Sequence, residues 1–182
     1  MANRNTLSRF LSVARRLRRE SGGVAAIEFA FIAGFLSVAA LNVADVGVFL
    51  FDRLQVENAA EMGVQAIWAT CDLNHTPVTN KCNGYSSAMT SAVHSTSLGS
   101  HISVSSGYPT ESYYCVDSSG ALVSVSDVNN KPADCSSVGN ASAGPGDYMQ
   151  VQVTYTYAPM FGFTVASLLP TTITERASLR MA

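Results

Sequence analysis

Charged side chains are scarce in this chain, and their scarcity excludes two broad classes of protein. Only 13% of its 182 residues are Asp, Glu, Lys or Arg, about half the usual share in globular proteins. Disordered chains and nucleic-acid binders both depend on a high content of charge, so neither class fits and no nucleic-acid partner is expected. The 47% of hydrophobic residues is ordinary for a protein with a packed core.

The sequence also lacks the short motifs of common catalytic sites. It contains no Gly-x-Ser-x-Gly nucleophile turn, no phosphate-binding glycine loop and no His-Glu-x-x-His metal motif. The acids Asp117 and Asp127 flank a candidate hairpin, where turn formation is their expected role. The sequence therefore predicts a protein that is not an enzyme and that uses no cofactor.

The few charges that are present divide into a basic N-terminal segment and an acidic remainder. Residues 1–20 carry six arginines against Glu20, a net of 6 − 1 = +5, whereas the remainder has five basic and twelve acidic residues, a net of 5 − 12 = −7. A basic segment placed directly before an apolar run is typical of a membrane protein whose N-terminus stays in the cytoplasm.

The apolar run extends over residues 24–51 and contains only two charges, Glu28 and Asp45. Sixteen uncharged residues separate these two acids, and the flanks bring the length to the ~20 residues that a bilayer core requires. We therefore predict a transmembrane helix over 24–51 in contact with membrane lipid. Everything after it is expected to lie outside the cytoplasm.

A glycine and a glutamate at the start of this run indicate processing by a peptidase. The local sequence is Gly23-Val24-Ala25-Ala26-Ile27-Glu28-Phe29, and a carboxylate inside hydrocarbon usually has a specific partner. Cleavage after Gly23 would place a new ammonium group on Val24, one helical turn before Glu28. The pattern resembles the processing site of type IV prepilins, in which the leader, here 1–23, is removed. Asn42 and Asp45 project near the same side and are expected to extend this polar contact toward a partner helix.

The helix is predicted to continue beyond the membrane as an amphipathic segment over 52–70. Its apolar residues recur close to a 3.6-residue period, and no proline occurs before Pro77. Ile67 and Trp68 are expected to pack against the soluble body. The apolar stripe comprises Val56, Ala59, Ala60, Met62, Val64, Ile67 and Trp68.

The body, residues 71–182, is predicted to be rich in β-structure. Alternation of apolar and polar side chains is clearest where Val151, Val153, Tyr155 and Tyr157 share one face. Antiparallel pairing of the last two strands, with their inner face on the helix, is the simplest topology. The candidate strands lie at 102–106, 112–117, 121–126, 147–157 and 171–181.

All four cysteines lie after the predicted crossing, in the compartment that oxidises thiols. Three connectivities are allowed, and short loops favour Cys71–Cys82 and Cys115–Cys135, each worth roughly 3 kcal/mol. A zinc site from Cys71, His75, Cys82 and His94 is the alternative. The compact ligand spacings of structural zinc sites are missing, so disulfides and no metal ion are predicted.

The order of these features resembles the TadE-like family, the minor pilins or pseudopilins of the tight-adherence (Tad) pilus. The resemblance rests on the basic leader, the Gly-x-x-x-Ile-Glu-Phe-Ala motif, the apolar helix, the strand Val-x-Val-x-Tyr-x-Tyr-x-Pro and the threonine-rich last strand. It covers residues 22–68 and 148–181, whereas the serine-rich middle matches nothing known to us. It implies an α+β, pilin-like fold, in which a long N-terminal helix packs on a small antiparallel head.

The resemblance also implies a role in pilus assembly and adhesion. Processing would occur between Gly23 and Val24, and assembly would use Glu28 and Phe29. The implied partners are a prepilin peptidase, other pilins and the proteins of the pilus assembly platform. The expected location is the bacterial cytoplasmic membrane, crossed once, or the pilus filament.

Two other interpretations remain open from the residues alone. One is an uncleaved single-pass protein whose periplasmic head binds a ligand or scaffolds an envelope complex. The other is a secreted protein released by signal cleavage near Ala40. The mature N-terminus, whether Met1, Val24 or Leu41, distinguishes all three.

Overall fold

The computed structural model describes residues 21–71, 76–161 and 168–181. Residues 1–20 of the predicted leader, which spans 1–23, and His75 lie outside these residues. The described chain combines one very long helix, two short helices and a five-stranded antiparallel sheet. The predicted α+β class is confirmed.

A single helix, α1, spans Ser21–Thr70 and contains 50 residues. At 1.5 Å per residue it is about 75 Å long, which exceeds the length of an ordinary globular domain. Proline is absent from it, so no backbone N–H is missing from its hydrogen-bond ladder. The predicted transmembrane and amphipathic segments therefore form one continuous element.

The second half of α1 packs into the head with the stripe that its periodicity predicts. Five members of that stripe are buried: Val56, Ala59, Ala60, Val64 and Ile67. The expectation for Trp68 is wrong, because its side chain is 55% exposed. One residue step turns a helix by about 100°, so burial of Ile67 directs its neighbour away from the head. Met62 is also exposed.

The sheet is organised around one long strand, β4. The strands are β1 (Ile102–Val104), β2 (Thr110–Val116), β3 (Leu122–Asp127), β4 (Gly146–Thr156) and β5 (Thr172–Arg180). β5 pairs with β4 along its whole length, and β1 and β2 share the opposite edge of β4. β3 continues the sheet beyond β2. The predicted antiparallel pairing of the last two strands is confirmed.

Two short helices replace part of the serine-rich region that the sequence suggests is loop. They are α2 (Val78–Lys81) and α3 (Tyr85–Val93). Met89 and Val93 are one helical turn apart, and both are buried against α1. The two helices approach closely at Gly63, where a β-carbon would lie 2.9 Å from Cγ2 of Val93. The core thus lies between α1, α3 and the inner face of β4 and β5.

Two disulfides connect the irregular segments to this core. Cys71 pairs with Cys82, with their Cα atoms 5.8 Å apart, and Cys115 pairs with Cys135, with theirs 5.6 Å apart. These are the pairings that short loops favour. The zinc alternative needs free thiolates on Cys71 and Cys82. It is wrong for these cysteines, because they form a disulfide with each other.

Candidate membrane and assembly interface

The first half of α1 extends beyond the head, and most of its side chains are exposed. From Val24 to Ala44 every side chain is exposed except those of Ala33, Leu41 and Asn42, which are half-buried. The exposed set is dominated by large apolar residues, which include Val24, Ile27, Phe29, Phe31, Ile32, Phe35, Leu36, Val38 and Val43. An uninterrupted apolar surface of this kind is unfavourable in water. This helix is long and apolar enough to span a membrane.

Two polar side chains within this half donate hydrogen bonds to backbone oxygens of their own helix. Ser37 donates its Oγ hydrogen to the carbonyl oxygen of Ala33 at 2.7 Å, and Asn42 donates from Nδ2 to that of Val38 at 2.8 Å. Both bonds reach back one turn, which is the pattern that neutralises small polar groups in an apolar helix. These bonds lower the cost of burying the two side chains in hydrocarbon.

The residues predicted to act in processing and assembly lie at the free end of α1. A β-carbon on Gly23 would meet no atom within 4 Å, and Phe29 is 73% exposed. Glu28 is exposed and has no hydrogen-bond partner among residues 21–71, 76–161 and 168–181. Within the described part of the chain, nothing covers Gly23, Val24, Glu28 or Phe29.

Asp45 marks the point where α1 enters the head. It is fully buried, and its Oδ1 accepts backbone hydrogens from Met160 and Phe161 at 2.9 and 3.1 Å. Its carbonyl oxygen accepts the phenolic hydrogen of Tyr157 at 3.0 Å. The expectation that Asp45 contacts a partner helix is wrong, because its carboxylate is held within its own chain.

Asp52, seven residues later on α1, also lies against a tyrosine, but through its carboxyl group. It is buried and forms a side-chain hydrogen bond with Tyr155, while burial raises the pKa of its carboxyl above the ordinary 3.8. Burial and the neighbouring Asp52 carboxylate likewise raise the pKa of the Tyr155 phenol. Residues seven apart share one face of a helix and residues two apart share one face of a strand. Two acids of α1 therefore meet Tyr155 near the end of β4 and Tyr157 just after it.

Comparison with known protein families, with curated proteins and with solved structures finds no match for this chain.

A second acidic pair lies on the inner face of the sheet, where sequence reasoning did not find it. Glu111 in β2 and Asp147 in β4 are both buried and are diagonal neighbours in the register. Glu111 accepts backbone hydrogens from Val78 at 2.6 Å and Thr79 at 2.8 Å. These bonds fix α2 to the sheet.

The two acids cannot both be charged at low cost. Burial, the charge of Glu111 and a hydrogen bond with it raise the pKa of Asp147 to about 7, and the charge of Lys131 opposes this rise. Asp147 thus retains its proton at mildly acidic pH. No sequence signal marks this pair, because 36 positions separate the two residues and only strand register brings them together.

Proposed function

We propose that this protein is a pilin-like subunit of a Tad-type pilus, inserted in the bacterial cytoplasmic membrane with its head outside. One observation carries the proposal: half of a continuous 50-residue helix is apolar and uncovered, while the other half is built into a disulfide-bonded head. A lipid bilayer covers such a surface in the free subunit, and neighbouring apolar helices cover it in an assembly.

The membrane span that we propose is residues 24–44, shorter than the apolar run. These 21 residues extend about 31 Å at 1.5 Å per residue, close to the ~30 Å of a bilayer core. Asp45 is hydrogen-bonded to the head, so the segment after it belongs to the head. The loop at Met160 and Phe161, two exposed apolar side chains, then lies beside the membrane surface.

Glu28 supplies the assembly contact in this proposal. An unpaired carboxylate in hydrocarbon is costly, and cleavage after Gly23 creates an ammonium group on Val24 of each subunit. A neighbouring subunit in the correct axial position brings the two charges together. A subunit displaced along the axis leaves both unpaired, so the pair fixes the relative position of adjacent helices.

The competing function is that of an uncleaved single-pass anchor whose head binds or scaffolds a partner. Its support is a groove between α1 and β5, which carries Glu57 and Glu61 on the helix side and Arg176 on the strand side and is suited to hold part of a partner. The two functions differ in their N-termini, and the secreted alternative differs from both.

Mass spectrometry of the mature chain tests the proposal. An N-terminus at Val24 is expected, and Gly23→Val should leave the leader attached because the peptidase needs a residue without a β-carbon at the cut. Gly34→Val is the matched control, because neither glycine has an atom within 4 Å of the added β-carbon. A mature chain that begins at Met1 or Leu41 would overturn the proposal.

A further inference from the structure

The outer edge of β5 offers unpaired backbone groups along a nine-residue strand. The amide of Met181 donates to Asp147, and that of Tyr157 donates to Thr171. In this register the odd-numbered residues of β5 bond β4, so the even-numbered residues direct their N–H and C=O groups outward. Among the residues that the structure describes, no strand pairs with this edge. Thr172, Thr174, Arg176 and Ser178 form it.

A groove separates this edge from α1. Its volume is about 390 Å³, and its floor contains Val64, Ala177 and Leu179, which pack against the core. Its wall on the helix side carries Glu57 and Glu61. An ion pair between Nε of Arg53 and Oε1 of Glu175, at 2.8 Å, joins helix and strand at the Glu175 end.

The two sides of the edge have opposite charge. On the helix side, Glu57 and Glu61 are one turn apart on an exposed helix face and face the groove. On the outer side of the sheet, Arg176 donates to Oε1 of Gln152 at 2.8 Å and lies over the ring of Tyr108. Successive side chains of an added strand would alternate between these two environments.

We propose that β5 accepts an extended segment of a partner protein as an additional strand, and that this segment carries basic side chains at alternate positions. Backbone groups of the edge supply affinity, as in other cases of strand addition. Lysine or arginine fits the groove because the aliphatic part of the side chain covers Val64 and Ala177 while the cation reaches Glu57 or Glu61. The partner's intervening side chains face Arg176 and are neutral or acidic.

A second mature copy of this chain does not supply that segment. Without the leader the chain has five basic residues, and no two of them are two positions apart. This exclusion rests on the proposed cleavage after Gly23, because the leader contains Arg16 and Arg18, whereas addition of a strand to β5 itself requires neither membrane insertion nor cleavage.

Peptide binding to the full chain in detergent micelles tests this inference. The probe is a fluorescent eight-residue peptide of alternating threonine and lysine, and its control is a permuted peptide of equal charge with the four lysines consecutive. Fluorescence anisotropy should show at least tenfold tighter binding of the alternating peptide. Equal affinity for both peptides, or no saturable binding of the alternating one, would overturn the proposal.

Variants of the protein separate strand addition from simple charge attraction. Ser178→Pro removes an outward N–H without disturbing the bonds to β4 and should abolish binding, whereas Ser178→Ala keeps the N–H and should bind normally. Replacing Glu57 and Glu61 together by Gln should weaken binding at least tenfold, and Asp134→Asn, an exposed carboxylate elsewhere, should not. Methylation of alternate amides of the peptide tests the backbone bonds in the unmodified protein. Unchanged binding after both Ser178→Pro and amide methylation would exclude strand addition.

Discussion

Tyr157 and Asp45 are 112 positions apart in the chain, and a hydrogen bond of 3.0 Å joins the phenol of the first to the backbone oxygen of the second. The ring of Tyr157 also packs edge-on against Phe49, with centroids 5.1 Å apart. The end of β4 is thereby fixed to the helix at the place where α1 leaves the head. This junction positions the head relative to the uncovered half of α1.

Tyr157→Phe should destabilise the head by about 1 kcal/mol, because it removes one buried hydrogen bond and keeps the ring. A lowered midpoint of urea unfolding, followed by near-UV circular dichroism in micelles, would show this. Tyr114→Phe is the matched control, since the Tyr114 ring also packs against another tyrosine, Tyr148, while its hydroxyl bonds none of the described residues. An equal shift in both variants would contradict the assignment.

The head should lose stability as the pH rises from 5 to 8. Asp147 has a pKa of about 7 in the folded state against an ordinary 3.8, so between these values the folded state binds more protons than the unfolded state. The stability that Asp147 contributes is present in full below pH 3.8 and is lost progressively until the pH passes 7.

Asp147→Asn should reduce this dependence, because an amide donates to Glu111 at every pH. Unfolding midpoints measured at pH 5 and pH 8 provide the comparison. Asp52, whose pKa is also raised, contributes a remaining slope of the same sign. Identical pH profiles for the native chain and Asp147→Asn would show that the buried pair does not control the dependence.

The sequence is sufficient to predict those features that depend on local periodicity. The 3.6-residue stripe of α1 and the alternation in β4 predict their elements to within a few residues, because burial on one face imposes that spacing. Asp45 is different. The apolar run around it predicts that Asp45 lies in or near a membrane. Its hydrogen-bond partners, Met160 and Phe161, are more than 100 positions away in the chain. Contacts of that kind depend on topology, which local spacing does not specify.

Helix α3 is a second feature that the local sequence composition does not predict. Its sequence is rich in serine, which favours loops in isolation, but packing of Met89 and Val93 on α1 overrides this preference. The spacing of Tyr85, Met89 and Val93 at four-residue intervals is the signal that indicates this helix.

Gly63→Ala should destabilise the head even though alanine is the better helix former. The added β-carbon would lie 2.9 Å from Val93 and 3.3 Å from Val151, and overpacking of this kind costs about 1–3 kcal/mol. Gly47→Ala, in the same helix with no atom within 4 Å, should instead stabilise by up to about 1 kcal/mol. The urea midpoint should fall in Gly63→Ala and rise in Gly47→Ala. A rise in the midpoint of both variants would disprove close packing at Gly63.

Glu28→Ala should insert and be processed normally, since it removes a charge from hydrocarbon, but it should not assemble with other pilins. Glu28→Gln should be intermediate, because the amide keeps hydrogen bonding without charge. Cross-linking in membranes and counts of pili per cell measure the outcome. Normal cross-linking and piliation of Glu28→Ala would contradict a pairing role for this carboxylate.

The Cys71–Cys82 bridge has a mechanical consequence for a head carried on a long rod. Without it, once a pull along α1 overcame the packing of α1 in the head, the segment after Cys71 would lengthen by roughly 3.5 Å per residue over a separation of 11 positions before the pull reached α3. The bridge prevents this extension, because it links the end of α1 covalently to Cys82, just before α3. Tension therefore reaches α3 as soon as α1 begins to slide, and the two helices must yield together.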